Sequence, residues 1–156
     1  MKNRLGETIH LTGYNHYIRT NTCRLYIGAT VIDVAPTVLS LPEKDPLTQC
    51  SEEDIAAQTF TIDCSALIWG ANGDQLNGIT LYQGLPQLAT RNYFNGPWRY
   101  MGIIDPGEGA IGQATEDAVF PFALDQKVWF QARMLTMGGR ISEIWTLNPR
   151  IIEPDP

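Results

Sequence analysis

The chain has 156 residues, enough for one domain that buries roughly two-thirds of its unfolded surface. At 44% hydrophobic it is not a disordered chain, and its 18% charged content is low for a globular surface. Seventeen acids against eleven bases give a net charge of −6, which argues against nucleic acid as the main partner. Arginine outnumbers lysine eight to three, a bias compatible with protein–protein contact. Cys23, Cys50 and Cys64 are widely spaced and odd in number, so they read as reduced thiols rather than as a disulfide framework. The first residues lack the apolar core of a signal peptide. No apolar run approaches a membrane span, so no membrane partner is expected.

In chain order, residues 1–8 form a candidate N-terminal arm, and Glu7 to Thr12 alternates like an edge strand. Tyr14 to Arg19 and Cys23 to Val34 are rich in β-branched and aromatic residues and predict two strands. Pro36, Pro42 and Pro46 break the next stretch, where Thr37 to Leu41 can be a short strand. Ser51-Glu52-Glu53-Asp54 resembles a helix start with an acid three residues after a serine, which predicts one short helix near 52–57. Thr59 to Cys64 alternates Phe60, Ile62 and Cys64 with polar residues and predicts a strand. Gly70 to Asp74 is a turn, and Leu76 to Gln83 is the next strand. Gln87 to Gly96 reads as irregular, Pro97 to Ile104 as a strand, and Ala110 to Glu116 as a loop.

Leu124 to Leu147 carries the clearest signal. Two strand-like runs flank Gly138-Gly139, which predicts a hairpin with a two-residue turn. Counting from that turn sets Met137 against Arg140, Ala132 against Trp145, and Phe130 against Leu147. A small residue opposite a large one suits a packed cross-strand pair. Beyond it, Asn148 to Pro156 is extended, with three prolines in its last eight residues. The expectation is an all-β, antiparallel β-sandwich of the immunoglobulin, fibronectin-III or jelly-roll kind. The domain would span 1–148, followed by a C-terminal tail over 149–156.

No motif names a reaction. His10 and His16 are six residues apart, a spacing that fits neither a strand nor a helix metal pair. Cys23, His16 and Asp33 could make a hydrolase only without a nucleophile elbow or an oxyanion turn. No phosphate loop or dinucleotide fingerprint is present. The chain therefore reads as a non-enzyme, with no cofactor and no metal. Two stretches are candidate contact surfaces. The first is Tyr93, Phe94, Trp98, Arg99 and Tyr100, whose residue types dominate binding hot spots and also build sugar platforms. The second is Ile151 and Ile152, which either complete the sandwich as a last strand or dock onto a neighbouring subunit.

The stretches from Phe60 to Gly73 and from Asn77 to Tyr82 resemble strand–turn–strand passages of small β-rich structural proteins of tailed bacteriophages. The hairpin with Trp129 to Arg133 and Gly139 to Glu143 resembles the last hairpin of fibronectin-III-like modules, which such particles carry. The resemblance implies a virion structural protein, of the capsid-decoration, tail or connector type, assembled in the host cytoplasm. Its partners would be other virion proteins and further copies of itself. A glycan-binding adhesin module is the alternative.

Overall fold

The computed structural model of the protein describes residues 13–26, 28, 30–33, 49–64, 76–105, 112–136 and 138–154. The expected N-terminal arm, the strand at 37–41 and the turn at 70–74 lie outside those residues. Among the described residues one helix, α1 (Gly13–Tyr26), precedes ten strands: β1 (Gln49–Asp54), β2 (Thr59–Asp63), β3 (Leu76–Gly84), β4 (Gln87–Leu88), β5 (Trp98–Ile104), β6 (Gln113–Asp117), β7 (Gln126–Val128), β8 (Phe130–Thr136), β9 (Trp145–Thr146) and β10 (Arg150–Ile151). All strand pairs are antiparallel. They build a four-stranded sheet in the order β5-β3-β8-β9 and two three-stranded sheets, β1-β2-β6 and β10-β7-β4.

The sandwich follows from alternation. In β2, Phe60 and Ile62 are fully buried, while Thr59, Thr61 and Asp63 are half-exposed. In β3, Ile79 and Leu81 point inward, and in β8 Phe130, Ala132 and Met134 do the same. The three sheets meet in one core. Phe60 stacks edge-on against Phe130 at 4.9 Å and lies 4.3 Å from Phe122, joining the first sheet to the four-stranded one. Each such aromatic contributes on the order of 1.5–3 kcal/mol by burial. The chain changes sheets at Trp129, between β7 and β8, whose carbonyl accepts the Gly84 N–H at 2.8 Å.

The hairpin pairs Ala132 with Trp145 and Gln131 with Thr146, the register predicted by counting. Leu147 N–H also donates to the Phe130 carbonyl at 2.9 Å. The turn differs from the expectation. Thr136 N–H donates to the Arg140 carbonyl, and Gly139 N–H donates to the Thr136 carbonyl, each at 2.9 Å. Thr136 therefore faces Arg140 across a three-residue loop with Gly139 in the left-handed region (φ 80°), the usual three-residue hairpin closure. The tip is out of step by one residue, with Leu135 opposite Ile141, and the chain recovers the predicted register before Trp145.

Three expectations are corrected. The predicted strands at Tyr14 to Arg19 and from Cys23 are instead α1. No acid lies in its first turn, and Arg24 is the basic residue of its last. Local propensity is therefore weak, and contacts with the rest of the chain decide. The Thr22 hydroxyl donates to the Ile18 carbonyl at 2.8 Å, which satisfies a polar group that would otherwise disfavour a helix. The Asn21 amide bonds both backbone groups of Ile32, at 2.8 and 3.0 Å, and buries itself in doing so. The Thr20 backbone packs directly on Gly139.

The second correction is the short helix near 52–57, which is strand β1 followed by a turn. The Ser51 hydroxyl donates across to the Thr61 carbonyl at 3.2 Å rather than capping a helix. Asp54 accepts the Ala57 N–H at 2.7 Å, and Gln58 adopts φ 57°, so the acids turn a hairpin. The third is the predicted loop at 110–116, of which Gln113 onward is strand β6, paired along the whole of β2.

Two glutamines fix the crossing from β6 to β7. Gln83 is fully buried; its carbonyl accepts Val119 N–H and Phe120 N–H, and its amide donates to the Phe120 carbonyl at 2.9 Å. Gln58 does the same for Phe122, accepting its N–H at 2.9 Å and donating to its carbonyl at 3.1 Å. A side-chain amide here takes the place of a neighbouring strand for the backbone groups of Val119, Phe120 and Phe122.

Candidate contact surface

The segment after β3 begins at Gly84. A Cβ there would come 2.3 Å from the Phe94 ring, so the ring lies directly on the backbone. Phe94 stacks on Trp129 (5.5 Å, 19° between planes) and meets Trp98 edge-on at 5.0 Å. Trp129 is buried, and Phe94 and Trp98 are half-buried. These three rings form a rigid base. Over it the chain is stitched by its own polar groups. Leu85 N–H donates to the Pro97 carbonyl and Arg91 N–H to the Leu88 carbonyl. The Arg91 guanidinium donates to the Gln87 side-chain oxygen at 2.7 Å and to the Tyr93 carbonyl at 3.1 Å. The Lys127 ammonium donates to the Arg91 carbonyl at 2.9 Å and lies 5.6 Å from the Trp129 ring centroid. On this scaffold Leu88 is 77% exposed and Tyr93 69%, with Leu85 also exposed.

Of the seven residues singled out in the sequence, Tyr93, Phe94 and Trp98 come together here. Ile151 joins them. Its partner in the neighbouring strand is Lys127, whose own partner on the far side is Gln87, so the three form one row across the small sheet. Ile151 is exposed. The site thus combines two stretches far apart in sequence.

Three residues go elsewhere. Ile152 is 1% exposed and belongs to the core, which corrects its assignment as a contact residue. Its N–H donates to the Gln126 carbonyl, and its carbonyl accepts the Asp125 N–H. The tail as far as Ile152 is therefore the last strand of the sandwich rather than a free arm. The Glu53 carboxylate, itself nearly buried, locks it by pairing with Arg150 at 2.5 Å and accepting the Glu153 N–H at 3.0 Å. Arg99 turns away from the loop: its guanidinium lies 4.5 Å over Phe120 and donates to the Val119 carbonyl. Tyr100 turns towards the helix, edge-on to Tyr82 at 5.7 Å and to Tyr26 at 6.2 Å. Burial, a hydrogen bond with Tyr26 and the nearby Tyr82 and Glu116 all hold its hydroxyl above the ordinary tyrosine range.

Leu85, Leu88, Gln87 and Lys127 gave no sequence signal as contact residues. The residues weighed for hydrolysis do not assemble. His16 and Cys23 lie on one helix two turns apart, roughly 10 Å along the axis and beyond hydrogen-bond reach. Burial raises the Cys23 thiol, against the lowered pKa of a nucleophile.

No protein-family model matches the chain, and no curated protein matches it. Among solved structures, the chain is similar to the twitchin kinase region from C. elegans, which carries fibronectin and immunoglobulin domains (Fn31-NL-kin-CRD-Ig26), at 13% identity and a TM-score of 0.45. The match covers 73% of this chain but only 17% of that one.

Proposed function

We propose that the protein is a non-enzymatic structural module that docks onto neighbouring subunits of a larger assembly through the loop after β3. The observation that carries this reading is the run of exposed Leu85, Leu88 and Tyr93 in a loop whose Phe94 is fixed by stacking on Trp129. Exposed apolar side chains held rigidly cost little entropy on binding, and tyrosine is a typical anchor of such contacts. The resemblance of the strand passages to phage structural proteins makes a virion the proposed assembly, with capsid or tail subunits as partners. Many copies on a lattice would add avidity to a modest single contact. The sugar-platform reading has less support, because Phe94 and Trp129 spend their ring faces on each other.

Copurification tests the proposal. The chain should fractionate with purified virions from its source. A Leu88→Asp, Tyr93→Ala variant should be lost from them while keeping the wild-type circular dichroism spectrum and unfolding midpoint within about 0.5 kcal/mol, since both residues are surface positions. Particles without the chain, or particles that retain the folded variant, contradict the reading.

A further inference from the structure

In the loop after β3, Arg91 lies in sequence between exposed Leu88 and exposed Tyr93, and its guanidinium is held by neutral groups alone. The Gln87 amide nitrogen donates to the Leu85 carbonyl at 2.9 Å and to the Pro86 carbonyl at 3.1 Å. That fixes the amide and leaves its oxygen to accept from Arg91 Nη1 at 2.7 Å. The Tyr93 carbonyl accepts from Arg91 Nε at 3.1 Å. Two of a guanidinium's five N–H groups are used in this way, and both on Nη2 are left over. Arg91 is itself exposed. Lys127 stands beside it on similar terms: its ammonium donates to the Arg91 carbonyl and lies over the Trp129 ring.

Among the described residues neither cation bonds to a carboxylate, whereas Arg150 pairs with Glu53. The nearest acid by register is Asp125, one place beyond Gln126, the partner of Leu88, and neither cation spends a donor on it. The sequence is the cause. No aspartate or glutamate occurs between Asp74 and Asp105, in a chain of seventeen acids and eleven bases.

We infer that Arg91 is a carboxylate receptor, and that the partner docking on this loop is a protein segment presenting an aspartate or glutamate between apolar side chains. The inference rests on the docking reading above and specifies the chemistry of the partner. A guanidinium already held in place loses little rotamer freedom on binding, and its free N–H groups suit the two oxygens of a carboxylate. Apolar contacts at Leu88 and Tyr93 would exclude water around that pair and strengthen it. The net charge of −6 opposes a nucleic acid or an anionic bilayer as partner. A single carboxylate feels mainly the charges within a Debye length of about 8 Å, which here include two cations.

Titration of the full chain with short capped peptides, read by backbone amide shifts, tests it. A peptide with one glutamate between leucines shifts the Leu88, Arg91 and Tyr93 amides. It binds roughly tenfold more tightly than a twin with glutamine in that place, and a lysine twin binds more weakly still. Arg91→Gln removes the preference for glutamate but leaves the affinity for the glutamine twin within about twofold. Arg91→Lys, which keeps the charge and loses the planar fork, retains only part of the preference. Equal binding of the three peptides, shifts elsewhere on the protein, or an Arg91→Gln variant that still prefers glutamate would overturn the inference. So would tighter binding of double-stranded DNA or phosphatidylserine vesicles at the same amides. Virion copurification is a separate readout: a chain that prefers the glutamate peptide but is absent from particles contradicts the assembly proposed above and leaves the carboxylate receptor standing.

Discussion

The loop after β3 and the C-terminal segment carry similar sequence credentials. Both are punctuated by proline and both hold large apolar residues. In the folded chain they differ in what their side chains meet. The C-terminal segment pairs with β7, buries Ile152 and is held by the Glu53 carboxylate, so it is part of the sandwich. The loop pairs with the same strand through Gln87 and Leu88, bonds otherwise mainly to itself, and leaves Leu88 and Tyr93 in solvent. The difference teaches that pairing with β7 does not by itself bury an apolar residue: β4 and β10 both pair with it, and only β10 leads an apolar side chain, Ile152, into the core. Adjacent residues divide the same way: Ile152 is core, and Ile151 is on the outer face.

Breaking the C-terminal strand should have the largest effect. Ile152→Asp places a carboxylate in a fully packed site and should cost about 4 kcal/mol or more, read from urea unfolding. Ile151→Asp, one residue away, should cost less than about 1 kcal/mol, because its side chain already meets water. Equal costs would erase the distinction between the two residues.

The hairpin tip is the next largest. A Cβ on Gly139 would come 2.4 Å from the Thr20 carbonyl oxygen, and the position has φ 80°. Gly139→Val should therefore cost about 2–3 kcal/mol and release α1, which far-UV circular dichroism reads as lost helix. A variant with an unchanged helical signal would show that α1 does not depend on the hairpin.

The effect absent at neutral pH is a pH dependence beneath the C-terminal strand. Burial, with the Glu53 carboxylate adding, pushes the Cys50 thiol up to about 12 from an ordinary value of 9.0. Above pH 9 the unfolded chain gives up this proton while the folded chain keeps it. The thiol's contribution to stability is thus whole below pH 9 and is lost as pH rises towards 12. Thermal unfolding should fall more steeply over that range in the wild type than in Cys50→Ala. Identical slopes would mean that the thiol is not sealed under the strand.

Much of the sandwich was legible because strand alternation is a local signal. Phe60, Ile62, Ile79, Leu81 and the Ala132–Trp145 pair can all be placed by counting alone. Helix α1 was not legible. Its aromatic and β-branched residues favour strands, and its support comes from Ile32 just beyond its end and from Gly139 and Tyr100 far away in the chain. The acids at 52–54 carry a helix-start pattern, but pairing with β2 overrides it. For the candidate surface, the aromatic residue types pointed to Tyr93, Phe94 and Trp98. The junction with Ile151 depends on strands β4, β7 and β10 lying side by side, which no local pattern encodes. The clamps made by Gln58 and Gln83 were hidden for the same reason: a glutamine reads as surface until its amide is seen bonded to a distant backbone.

Hydrogen exchange of the isolated protein compares the two segments directly. The amide of Ile152, bonded to the Gln126 carbonyl, and that of Glu153, bonded to the Glu53 carboxylate, should be protected to an extent approaching the β8 amides. The amide of Leu88 faces away from β7, because its partner Gln126 turns its carbonyl to Ile152, and should exchange much faster. Rapid exchange at Ile152 and Glu153, with protection at Leu88, would reverse the roles of strand and surface and contradict the account.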